Sequence, residues 1–134
     1  MSFYEQLGAL ILRLVVGLIF FVHGLDKFLG GFPQVTERFS ELGLPEGLAY
    51  GVAILELIGG FALLIGVATR VMAALFALLM VGAIFIVKLE AGFIGGFEFD
   101  LALLAMTVYL FLNGSKNFSL ISVTGFFSRK VKSG

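Results

Sequence analysis

Cysteine and tryptophan are absent from the 134-residue chain, proline occurs twice, histidine once, and charged residues make up only 13%. Without cysteine there are no disulfide staples, no thiol redox chemistry and no thiolate ligands for an Fe–S cluster. One histidine cannot supply both axial ligands of a b-type haem, and no Cys-x-x-Cys-His is present to attach haem covalently. Neither a His-Glu-x-x-His spacing nor a Walker-type glycine loop occurs, so no metal centre is expected. Nine basic residues balance nine acidic ones, which leaves no basic field for nucleic acid. A soluble domain carries about a quarter of its residues as charges. Here a chain that is 60% hydrophobic has too few to cover itself, and the bilayer is the expected solvent.

What the chain does have is apolar length. Crossing about 30 Å of hydrocarbon takes roughly 20 helical residues, and four runs approach that length: Leu7–Phe28, Gly47–Val67, Val71–Val87 and Phe97–Leu112. The expected fold is therefore all-α, a four-helix membrane bundle forming a single integral domain. The first run is not expected to be a cleaved signal peptide, because Glu5 precedes it, no Lys or Arg comes before Arg13, and no small-x-small site follows. Arg70, Lys116, Arg129, Lys130 and Lys132 fall on one side, against Lys27, Arg38 and Lys88 on the other. The positive-inside rule then places both termini and the basic tail, 113–134, in the cytoplasm. The long first connection, Gly30 to Glu46, contains Pro33, Pro45 and an amphipathic stretch from Val35 to Leu42 that is suited to lie as a lid on the outer face.

Sliding the chain against itself by 65 residues aligns Val16–Phe32 with Val81–Phe97, with identities that include Val16, Gly17, Phe20, Phe28 and the closing Gly30-Gly31-Phe32. This predicts two similar helix pairs related by a pseudo-two-fold axis along the membrane normal. His23 and Lys88 are matching positions in that repeat.

Ionisable groups inside a span are expensive and mark function by default. Arg13, Gly17, Phe20, Gly24 and Lys27 share one face of the first helix at 100° per residue, with His23 at its edge. Glu56 lies about 13 Å below the outer end of the second helix, roughly 7 Å in depth from Arg13 by helical rise. An Arg13–Glu56 ion pair is therefore expected, either to dock the first two helices or to serve a ligand site. Near the outer boundary His23, Lys27, Lys88, Glu90, Glu98 and Asp100 collect. Snorkelling to the interface is the alternative fate for Lys27 and Lys88. His23 is the one side chain suited to exchange protons at neutral pH, so it is the expected catalytic residue, with Arg13, Lys27, Glu56, Lys88 and Glu98 as ligand contacts.

Several motifs, each weak alone, occur in a telling order: Arg13, His23-Gly24-Leu25-Asp26-Lys27-Phe28, Leu42-Gly43-Leu44-Pro45, Glu56-Leu57-Ile58-Gly59-Gly60, Gly66-Val67-Ala68-Thr69-Arg70 and Gly92-Phe93-Ile94-Gly95-Gly96-Phe97-Glu98. Over about Leu7 to Asn113 the chain resembles the DoxX family of small bacterial four-helix membrane proteins. It departs from that pattern at Lys88, where the family often has histidine. The resemblance implies an inner-membrane oxidoreductase component that interacts with a quinone or quinol, without haem, metal or Fe–S cluster. Carriage of a small amphipathic molecule and scaffolding of soluble redox enzymes are the alternatives. The expected partners are membrane lipid, a small amphipathic ligand, a soluble redox protein and further copies of the chain.

Overall fold

The computed structural model describes residues 3–113; the basic tail expected over 113–134 lies outside them apart from Asn113. Among the described residues the order is α1 (Phe3–Gly30), α2 (Phe32–Glu41), α3 (Glu46–Ile65), α4 (Thr69–Gly82) and α5 (Glu98–Asn113). Helix α4 continues without a break through a π-helical segment, Ala83–Lys88, and a 3-10 turn, Leu89–Ala91, so the third span runs Thr69–Ala91. With α1, α3 and the span that ends in α5, this makes four helices long and apolar enough to cross a membrane.

The bundle is all-helical, as composition and run length require. Its surface is apolar where a soluble protein's would be polar: Leu78, Phe85, Leu112 and Ile58 are all well exposed, which hydrocarbon solvates without penalty. Boundaries differ from the sequence reading by a few residues. Polar residues at the ends, such as Tyr4, Glu5 and Gln6, continue α1 outward because a helix satisfies its own backbone bonds whatever its side chains face. At the other extreme α3 stops early, at Ile65, where the Val67 N–H returns to the Ala62 carbonyl at 2.9 Å and closes the last turn.

The dominant interfaces join α1 to α3 and α4 to α5, two antiparallel pairs as the repeat predicts. Glycine makes the first pair close. A Cβ at Gly60 would lie 2.5 Å from the Phe21 backbone nitrogen, and one at Gly24 would lie 2.6 Å from that of Leu57, so the two backbones touch with nothing between them. The pairs meet at the centre, where the rings of Phe20 and Phe76 stack at 3.9 Å and 6°, both fully buried or nearly so among Val16, Leu63, Ala73, Met80, Leu103 and Leu110.

The amphipathic stretch of the first connection is the helix α2, packed on α3. Gly31, at φ 98°, turns the chain out of α1 into it. Phe32 at its start stacks on Tyr50 of α3 at 4.4 Å and meets Phe28 of α1 edge-on at 5.0 Å. These contacts hold α2 across one end of the bundle, called the lid end below.

Candidate functional site

Behind α2 lies a cavity of about 320 Å³, bounded by Phe39 and Leu44 on the lid side, Leu48, Val52 and Glu56 of α3, Lys27 of α1, and the stretch from Leu78 to Val87 of the third span. Its wall is apolar except for one ion pair, between the Lys27 ammonium and the Glu56 carboxylate. Glu56 is ten residues into α3, about 15 Å from its first residue by helical rise, and is 5% exposed. A carboxylate is therefore held near mid-span, with its only described cation reaching down from the lid end.

Side-chain direction explains the pairing. In a helix the Cα–Cβ bonds tilt toward the N-terminus. Helix α1 ends at the lid, so Lys27 points away from the lid and into the bundle; α3 starts at the lid, so Glu56 points up toward it. The two side chains converge, and Lys27 does not snorkel outward. The same rule separates Arg13 from Glu56 and corrects the expected Arg13–Glu56 pair. Gly17 faces Gly60 across the interface, so Arg13 lies one turn beyond that contact and Glu56 one turn before it, about 12 Å apart along the axis by helical rise. Arg13, only 3% exposed, has a Cα–Cβ bond tilted toward its own N-terminus, away from Glu56.

The other pair of spans repeats the arrangement. Lys88, close to the end of the third span, faces Asp100, in the first turn of α5, with 3.7 Å between Nζ and Oδ2. Asp100 Oδ2 is buried and makes no hydrogen bond among the described residues. By contact, then, Lys88 corresponds to Lys27 and not to His23, one helical turn from the position that sequence alignment gives it. His23 is exposed and does not line the cavity. Glu98 is exposed and accepts the Gly95 N–H at 3.1 Å, fixing the irregular turn that leads into α5.

Of the six expected site residues, the cavity brings Lys27 and Glu56 together; Arg13, His23, Lys88 and Glu98 lie outside its lining. Sequence reasoning left out Phe39 and Leu44, which the amphipathic pattern of the first connection and its Leu-Gly-Leu-Pro ending could have suggested. It also left out the π-helical segment, which contributes Ala83, Ile86 and Val87 to the wall. Such segments recur at functional sites, and no local residue signal distinguishes this one from the α-helix it continues.

The DoxX family profile matches residues 8–89, which include Lys27, Glu56 and the whole cavity lining. The chain belongs to the DoxX family. It is similar to a Bacillus subtilis protein named "Putative oxidoreductase CatD", 47% identical over 115 residues that cover 86% of this chain and 85% of the relative. It is also similar to an uncharacterised membrane protein of Mycobacterium tuberculosis, 33% identical over 124 residues that cover 81% of this chain and 76% of that one. No solved structure matches.

Proposed function

We propose that this DoxX protein is a membrane redox component that binds the head of a quinone or quinol in the cavity behind α2. The observation that carries this reading is the Lys27–Glu56 pair as the sole charged feature of an otherwise apolar wall. Quinone–quinol conversion exchanges two electrons and two protons, with the electrons passing to or from a separate redox protein. The site must therefore bind an oxygen that changes charge and must handle protons. In this reading Lys27 donates a hydrogen bond to a ring carbonyl oxygen, and that bond becomes stronger as negative charge develops there. Glu56 accepts a proton from a ring hydroxyl or returns one in the same reading. The apolar wall excludes water and raises the worth of both contacts. His23, one turn from Lys27 on α1, then serves at most as an exchange point with the surface, and the central proton role passes to Glu56. The oxidoreductase name of the Bacillus relative supports the same direction.

Thermal unfolding of the purified protein with and without a quinone tests the reading. A ligand at a hundred times its dissociation constant stabilises by about 2.7 kcal/mol, enough for a clear upward shift. Lys27→Met and Glu56→Gln should abolish that shift; absence of any shift in the unaltered protein refutes quinone binding. A shift produced equally by amphipathic molecules without a redox-active ring would favour the carrier alternative.

A further inference from the structure

We infer that the cavity opens sideways into the hydrocarbon between α3 and α4, so that the ligand arrives from within the bilayer and leaves an apolar chain in the opening. This rests on the quinone-head reading above and adds the class of quinone: membrane-borne and tailed, not water-soluble.

Three residues line the cavity and at the same time face outward: Leu48 of α3, 46% exposed, and Leu78 and Ile86 of the third span, 70% and 52% exposed. They form an apolar threshold between the interior and the membrane. Although α3 and α4 are consecutive, they touch far less than α1 with α3 or α4 with α5, so the gap between them is a loose seam beside the cavity. Two other sides are covered. Phe39 and Leu44 cover the lid end, with α2 pinned through Phe32 to Tyr50, and α1 lies tightly against α3 through Gly17, Gly24 and Gly60. A polar solute coming from water would have to pass the apolar side chains under α2, whereas a molecule dissolved in lipid meets only apolar side chains at the α3–α4 seam.

Size points the same way. At about 320 Å³ the cavity lies at the lower end of the roughly 300–1,000 Å³ range of ligand sites, so it takes a ring and not a ring with a long chain. The head is drawn inward by the charged pair, and a chain attached to it has the seam as its exit. Gly82 keeps the interior side of the third span open, since nothing lies within 4 Å of where its Cβ would be.

The test compares one ring with and without a chain, dimethoxy-methyl-benzoquinone and its decyl derivative, against the unaltered protein and two single variants at the threshold, Leu78→Trp and Ile86→Trp. Both positions face outward, so the larger side chain crowds the seam without entering the core. Far-UV circular dichroism and the unliganded melting temperature check that each variant folds. The expected result is that each variant weakens the decyl quinone at least tenfold more than it weakens the chainless ring. Partition of the decyl compound into detergent is the same for all three proteins and cancels. Equal weakening of both compounds, or no weakening of the decyl form in either variant, overturns the lateral opening while leaving the quinone site standing. Failure of both compounds to bind the unaltered protein overturns both proposals together. Lys27→Met provides the contrast, because loss of a head contact weakens both compounds alike.

Discussion

Replacing Lys27 with methionine removes a charge and little else, because methionine is unbranched, flexible and able to fill the same channel between α1 and α3. The consequence falls on Glu56, which is 5% exposed and loses its cation. Removing one partner of a buried pair costs about 3–5 kcal/mol. The Lys27 side chain is 23% exposed, which puts the expected loss at the low end, about 3 kcal/mol, or roughly a hundredfold in the folded-to-unfolded ratio. Lys27→Met with Glu56→Met leaves no charge at all, and apolar replacement of a buried pair is commonly neutral or stabilising. The double variant should therefore fall within about 1 kcal/mol of the unaltered protein, more stable than Lys27→Met alone. Unfolding by SDS titration from mild detergent, followed by circular dichroism, measures all four corners of the cycle. Additive single losses, or a Lys27→Met protein as stable as the original, would show that the two side chains are not coupled, and the charged wall of the cavity would lose its basis.

Gly60→Ala should cost about 1–3 kcal/mol by overpacking, read in the same SDS titration, because its Cβ would meet the Phe21 backbone and the helices must part. Phe76→Ala should cost about 3–5 kcal/mol as a core truncation, since the ring is fully buried against Phe20; a loss below that of Gly60→Ala would show that the two helix pairs do not meet there. Lys88→Met should cost less than Lys27→Met, within about 1 kcal/mol, because the Lys88 side chain is 40% exposed and stands 3.7 Å from its partner. Single cysteines placed in the naturally cysteine-free chain at Gly43 and Ser115 should react with an impermeant maleimide from opposite sides of sealed vesicles, Ser115 from the cytoplasmic side; reaction of both from one face would refute the orientation drawn from basic-residue bias.

Much of the architecture could be read directly because it depends on composition and period. Four apolar runs and an amphipathic connection require four spans and a surface helix whatever the details of packing, and the repeat around Val16–Phe32 and Val81–Phe97 foretold two pairs. The charged contacts were less legible. Sequence spacing gives depth along one helix to within a turn, but the register between two helices is set by where Gly17, Gly24 and Gly60 let the backbones touch. Taking the helix ends as level placed Arg13 within reach of Glu56, whereas the register puts them on opposite sides of the Gly17–Gly60 contact, with Cα–Cβ bonds tilted away from each other. Lys27 was read as a candidate for snorkelling for the same reason: its distance from the helix end was used and its direction was not. The cavity itself could not be foreseen, since it depends on α2 closing over a loose α3–α4 seam.

The two ion pairs separate the roles of the two halves. Both obey one construction rule, a lysine near the end of a span rising to the lid and a carboxylate on the span descending from it. The depths differ. Asp100 is in the first turn of α5, near the boundary, where a helix N-terminus favours negative charge and the part-exposed Lys88 side chain stands 3.7 Å away. Glu56 lies in the middle of α3, beyond help from that helix's terminus, and depends on a lysine extended from α1. An ionisable residue at that depth is costly to keep and would be the easier one to replace with leucine if packing were its only purpose. The second pair can be accounted for as an anchor for the turn between Ala91 and Glu98. The first has no such structural duty, because α1 and α3 are already locked by backbone contact at three glycines. Its position on the wall of the cavity is what remains to explain it, and on that ground the proposed quinone chemistry rests on Lys27 and Glu56.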